Sequence, residues 1–242
     1  MKITQKLLAR QQNPWDNDPV VIVCLGDSVT HGCFEVFRNE QGNLDTEYRV
    51  QTGYAKQLER TLCALYPAAA PTVINAGISG DTATGALKRL DRDVLRFKPD
   101  LVTVNFGLND CTEQDFDKNL RQYEKSMSAI FEKVLAAGSE CMLVTPNFKC
   151  EYVSHIFTDD KLREIAAEQA RHQTQGLLDQ YVDTARRCAW ASGVPVADAY
   201  AKWQALKKNG VDTTSMLANR INHPTEEAHR MFVEAITDVL FA

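Results

Sequence analysis

Val20-Val21-Ile22-Val23-Cys24-Leu25-Gly26-Asp27-Ser28-Val29-Thr30-His31-Gly32 is the stretch on which the reading of this chain turns. Its first six residues form an unbroken apolar, largely β-branched run, the pattern of a strand buried on both faces. Strands of that kind belong to parallel sheets covered by helices. Gly26 ends the run, and a serine follows two residues later in a glycine-flanked turn. The spacing predicts strand, turn and helix start, with a hydroxyl held at the carboxyl edge of a sheet. The turn also leaves backbone N–H groups unpaired, which suits an anion. Taken alone, the same serine reads equally well as a helix N-cap.

Outward from that strand the alternation repeats. Residues 53–66 carry Tyr54, Leu58, Leu62 and Leu65 at helical spacing and stop at Pro67. Residues 72–75 read as a second strand, and 83–97 as a helix with Leu87, Leu90, Val94 and Phe97 on one face. A third strand is expected at 100–104, a long helix at 116–137 closed by Gly138, and a fourth strand at 141–145. A helix over 162–192, a fifth strand at 194–197 and a last helix over 225–241 complete the chain. Strands alternating with helices predict a single domain over residues 1–242. Its fold class is α/β, a three-layer α/β/α sandwich around a five-stranded parallel sheet.

The totals agree with one such domain and narrow its partners. The 242 residues, 44% hydrophobic and 24% charged, have ordinary globular composition. A net charge of -5 gives no general attraction to phosphate backbones, so no nucleic-acid partner is expected. No apolar run approaches the ~20 residues that span a bilayer. The N-terminus is polar and lacks a signal-peptide core. No membrane association is expected, and the cytoplasm is the expected compartment. Seven cysteines, an odd number without a C-x-x-C pair, fit reduced thiols. The histidines do not cluster with them, so no metal site is expected.

Ligands of such sheets lie beyond the carboxyl ends of the strands, and the residues there are chemically informative. After the second strand comes Asn75-Ala76-Gly77-Ile78-Ser79-Gly80-Asp81-Thr82, where Gly80 lets a backbone N–H approach a ligand closely. A plain turn and helix cap is the competing reading. After the third strand comes Gly107-Leu108-Asn109-Asp110, where the Asn109 amide can donate to a developing oxyanion. Before the last helix comes Asn219-Arg220-Ile221-Asn222-His223-Pro224, a proline-fixed loop whose histidine can serve as a general base. Turn and core roles compete for both.

Ser, Gly, Asn and His in this order, at the ends of the expected strands, resemble the SGNH (GDSL-like) hydrolase family. The matching blocks are GDSV at Ser28, NAGISGD at Gly80, GLND at Asn109 and NHP at His223, and they lie within residues 20–241. The resemblance implies a flavodoxin-like arrangement of the sheet. It implies Ser28 as nucleophile and His223 as general base. It also implies an oxyanion hole made by the N–H of Ser28, the N–H of Gly80 and the side chain of Asn109. The implied substrate is a small-molecule ester, with short acyl or acetyl groups favoured and an acetylated carbohydrate as one option. No metal or organic cofactor is implied. Asp27 and Asp110 are expected to brace loops through side chain to backbone bonds.

One position departs from the family. The aspartate usually found three residues before the histidine is Arg220 here, and arginine cannot accept a hydrogen bond. Three readings stay open: Asn219 or a backbone carbonyl orients His223, an acid such as Asp198 or Asp212 serves instead, or activity is low or lost. A thioesterase and a non-catalytic binding protein that keeps the pocket are the functional alternatives. Residues 33–52, with Phe34, Phe37, Arg38, Tyr48 and Arg49, are expected at the pocket rim. So are residues 147–160, with Phe148, Tyr152, His155 and Phe157.

Overall fold

The computed structural model describes residues 1–242. In chain order it contains α1 (Lys2–Gln12), β1 (Val21–Gly26), α2 (Ser28–His31), β2 (Cys33–Arg38), β3 (Leu44–Tyr48) and α3 (Tyr54–Leu65). Next come β4 (Thr72–Gly77), α4 (Ala83–Asp93), β5 (Leu101–Asn105), α5 (Phe116–Ala136) and β6 (Glu140–Val144). The chain ends with α6 (Asp160–Thr174), α7 (Leu177–Ala191), β7 (Val196–Ala197), α8 (Ala199–Lys208) and α9 (Arg230–Leu240).

The main sheet has the order β4-β1-β5-β6-β7 with every pairing parallel. Numbered among these five alone, the order is 2-1-3-4-5, the flavodoxin-like winding. β1 lies second in the sheet and is buried from Ile22 to Gly26, as its sequence requires. Helices α4, α5 and α7 pack together on one face, and α3, α8 and α9 on the other. One contiguous core of 57 buried residues joins the layers.

Register sets where the carboxyl edge of the sheet lies. Gly26 of β1 pairs with Gly77 of β4 on one side and Asn105 of β5 on the other. The three strands therefore end level, and the loops after them open at one place. That place is the switch point between β1 and β5, where the winding reverses direction. Glycine at position 77 is required by close approach. A Cβ there would overlap the backbone nitrogen of His31, so α2 can lie against β4 only without one.

Several elements differ from the sequence expectation. The helix expected over 162–192 is two helices, because Gly176 adopts φ 72° and turns the chain between α6 and α7. The last helix begins at Arg230 rather than at 225, since residues 226–229 form turns. The helix expected over 83–97 ends at Asp93, and a 3-10 turn, Leu95–Phe97, follows. Strand edges move by one or two residues, and the fifth strand keeps only Val196–Ala197. Helices α1 and α8 and the antiparallel hairpin β2–β3 were not expected.

Candidate active site

Ser28 is the first residue of α2, so its N–H has no partner within that short helix. Asp27 caps the helix, its Oδ1 accepting from Val29 N–H at 2.9 Å. Gly32 closes it at φ 96°. The serine is thereby fixed at the carboxyl end of β1 and is 4% exposed. Its Oγ lies 3.0 Å from Nε2 of His223. The opposite ring nitrogen, Nδ1, lies 3.1 Å from the carbonyl oxygen of Phe34, at the start of β2. A carbonyl only accepts, so Nδ1 carries the proton and Nε2 offers its lone pair to the serine. Burial pushes the His223 pKa down to about 4, and the Phe34 carbonyl acts in the opposite direction. The ring is neutral near pH 7, as a base must be.

The loops after β4 and β5 face this pair. Gly80 sits at φ 78° with an N–H that no hydrogen bond uses. The preceding N–H, of Ser79, donates to Nδ1 of His31 at 3.3 Å. Asn109 donates one amide N–H to the carbonyl of Asp81 at 2.9 Å, which fixes the amide plane and leaves its second N–H available. Asp81 is in turn held by Arg89, whose Nε lies 2.7 Å from Asp81 Oδ2. The same guanidinium donates to the carbonyls of Ala76 and Gly26 at 2.8 and 3.1 Å. Arg89 is 8% exposed. It clamps the ends of β1 and β4 to the loop that carries Gly80.

Asp110 accepts from Ala83 N–H at 2.9 Å and braces the start of α4. Burial pushes the Asp27 carboxyl up to about 7, opposed by the Val29 N–H and reinforced by the charge of Asp81. Burial likewise raises Asp110 to about 7, with the Ala83 N–H opposing it.

No hydrogen bond joins the Asn219 side chain to the histidine ring, whose partners are Phe34 and Ser28. Asn219 Oδ1 accepts from the backbone N–H groups of Ile221, Asn222 and His223 at 2.9–3.0 Å, so it shapes the loop instead. The ring partner is the backbone carbonyl of Phe34, one of the readings left open by the sequence. Neither acid considered from elsewhere reaches the ring. Asp198 pairs with Arg186 and caps α8, and Asp212 accepts from Tyr152. Arg220 sits at φ 53° and turns its guanidinium to the carbonyls of Thr214 and Ser215.

Ser28, Gly80, Asn109 and His223 line one cavity of about 450 Å³. Its far wall is α6, through Leu162, Ile165, Glu168, Gln169 and His172. The sequence reading missed these residues, because helical spacing alone cannot say that one face meets a cavity. From residues 33–52 only Val36 lines the cavity. Phe34 is buried beneath the Arg49 guanidinium, 4.3 Å from the ring centre. From residues 147–160 none does, since Phe148 packs on Tyr200 and Trp203 in the core. A larger depression of about 710 Å³ lies between α1, Asp100 and Lys98, at the opposite edge of the sheet.

Comparison with known proteins gives three kinds of match. The model of the GDSL-like lipase/acylhydrolase family matches residues 24–231. An acetylxylan esterase from Geobacillus stearothermophilus is 30% identical over 132 residues, 52% of this chain and 58% of that protein. Esterase TesA from Pseudomonas aeruginosa is 35% identical over 85 residues, 34% of this chain and 41% of that protein. The chain thus spans about half the length of these curated relatives. Among solved structures, a lipase/acylhydrolase from Enterococcus faecalis superposes with a TM-score of 0.65 at 23% identity, covering 91% of this chain and 95% of that one. A catalytic mutant of an acetylxylan esterase from Geobacillus stearothermophilus gives 0.68 at 21% identity, covering 92% and 94%. These two likenesses show the same fold.

Proposed function

The chain belongs to the GDSL-like lipase/acylhydrolase family, and from that premise we propose that it hydrolyses carboxylic esters through an acyl-enzyme on Ser28. The observation that carries this reading is the contact of 3.0 Å between Ser28 Oγ and Nε2 of a neutral, buried His223. Ser28 Oγ attacks the ester carbonyl while His223 Nε2 takes its proton. The charge that develops on oxygen meets the N–H of Ser28, the N–H of Gly80 and the free N–H of Asn109. His223 returns the proton to the departing alcohol. Water, deprotonated by the same nitrogen, then attacks the acyl-enzyme, and His223 returns that proton to Ser28 Oγ as the acid leaves.

The imidazolium formed in the first step is stabilised by a carbonyl dipole rather than by a carboxylate. Ser28 and His223 therefore act as a dyad. Asn219, Asp27 and Asp110 hold the loops in which the reacting groups sit.

The substrate is a small ester with a short acyl group, and an acetylated carbohydrate is the favoured class. The modest cavity and the acetylxylan esterase among the relatives support that choice. One domain over residues 1–242 is supported by the single core. No helix is long and apolar enough to cross a membrane. A cytoplasmic location is supported by seven cysteines that are all free.

Hydrolysis of p-nitrophenyl acetate, butyrate and octanoate by wild type, Ser28→Ala and His223→Ala tests the reading. Wild type is expected to prefer acetate, and each substitution to cost roughly 10³-fold or more in kcat. Wild-type rates no higher than those of Ser28→Ala on every chain length would sink it.

A further inference from the structure

Behind the α6 wall lies a lysine that the mechanism above does not use. Lys149 is wholly buried, and its Nζ meets Nδ1 of His172 at 3.0 Å. Its backbone N–H is tied to Gln173 Oε1 at 2.8 Å, so the lysine stem is fixed relative to α6. An ammonium has three donors and no acceptor. Burial lowers the Lys149 pKa while the charge of Glu168 acts in the opposite direction; with the amine protonated, Nδ1 of His172 accepts, and the single proton of the neutral ring sits on Nε2. Burial, aided by the Lys149 charge, lowers the His172 pKa to about 4, which keeps the ring neutral.

The Nε2–H so fixed has no partner in the protein, although His172 is only 1% exposed. Its nearest carboxylate oxygens, on Glu113 and Glu168, stand at 3.8 and 3.9 Å, outside hydrogen-bond range. A buried donor left without a partner carries an uncompensated desolvation cost, so such a group marks a place where a guest atom belongs. His172 and Glu168 both line the cavity that holds Ser28. They stand one helical turn apart on the same face of α6.

A fixed N–H donor beside a carboxylate acceptor selects a group that both accepts and donates. A hydroxyl does so. A carboxylate or phosphate would accept from His172 but meet the negative charge of Glu168. An ammonium would meet Glu168 but face the N–H of His172. Ile165 and Leu162, about one and two turns before Glu168 on α6, offer an apolar face to the carbons that bear the hydroxyl.

We propose that His172 and Glu168 form a hydroxyl-binding subsite for the alcohol part of the substrate, with Lys149 positioning the His172 ring. This inference rests on the ester-hydrolase reading and adds what that reading lacks: the residues that recognise a polyol ester.

Glycerol monoacetate and propyl acetate share the acetyl group and the carbon chain and differ only in hydroxyls. The ratio of their kcat/KM values isolates the subsite, with folded enzyme counted by fluorophosphonate titration of Ser28. In wild type the ratio should favour glycerol monoacetate by at least about tenfold. His172→Asn keeps an acceptor for Lys149 but loses the Nε2 donor, and it should bring the ratio close to one. Glu168→Ala, at a half-exposed position that tolerates truncation, should lower it as well. A ratio unchanged in both variants overturns the proposal.

A second arm reads the histidine directly by 15N NMR of labelled protein. His172 is expected as the Nε2–H tautomer in wild type, to become mixed in Lys149→Met, and to shift at Nε2 when glycerol is added to molar concentration. A wild-type Nδ1–H tautomer, or an Nε2 signal unmoved by glycerol, also overturns it. If wild type cleaves neither ester, the hydrolase reading has failed by itself, and the NMR arm still decides the subsite.

Discussion

At the scale of single residues, the site depends on backbone groups more than its motifs suggest. Three N–H groups converge on Asn219 Oδ1, so this side chain sets the path of the loop that carries His223. Asn219→Ala should lower kcat by about 10²-fold, the cost of displacing a base by an ångström or so. Arg220→Ala, whose guanidinium points to Thr214 and Ser215, should stay within about threefold of wild type, since no interaction specific to the transition state is lost. Steady-state rates of the two variants on p-nitrophenyl acetate make the comparison. The acidity of His223 yields a second prediction. Its lone pair is available above about pH 4 and lost below, because burial disfavours the imidazolium. The acid limb of kcat/KM should therefore fall near pH 4, well under the ordinary histidine value. An inflection near 7 that vanishes in Asp110→Asn would assign the limb to the buried carboxyls instead.

At the scale of elements, Arg89 on α4 joins two strand ends to the loop that carries Gly80. It is a buried ion pair with Asp81 supplemented by two carbonyl bonds. Removing one partner of such a pair leaves an uncompensated charge and typically costs 3–5 kcal/mol. Arg89→Ala should show about that loss in urea unfolding, together with a lower kcat through the displaced Asp81 carbonyl that holds Asn109. A kcat loss without a stability loss would contradict the clamp. The sequence made some elements plain and hid others for physical reasons. β1 was legible because a strand buried on both faces must be apolar throughout. The hairpin β2–β3 was not, since most of its residues are half-buried or exposed and carry no clean alternation. α1 has only Ile3 and Leu7 as buried anchors, too few to set a period. Gly176 was hidden too, because one glycine inside a helical pattern marks either a tolerated residue or a break.

At the scale of the whole molecule, five of the seven cysteines, Cys24, Cys111, Cys141, Cys150 and Cys188, belong to the one core. Six are buried and only Cys63 is partly exposed. Burial raises the Cys63 thiol, and it pushes Cys24 and Cys141 up to about 12. Thiolate is the reactive form. A disulfide reagent such as DTNB should therefore titrate no more than one thiol in the native protein and seven in guanidinium. Four site residues quoted from the motifs, Ser28, Gly80, Asn109 and His223, lie around one cavity. The carbonyl of Phe34 and the pair Lys149–His172 were not legible, because a main-chain acceptor has no residue identity and a buried polar pair has no period. The reacting pair also spans most of the chain, since Ser28 and His223 stand 195 residues apart. At a synthesis rate of about 5–20 residues per second, the serine leads its base by roughly 10–40 s. On the mechanism proposed above, a chain still on the ribosome carries the nucleophile without the means to activate it, and the first turnover awaits the arrival of His223.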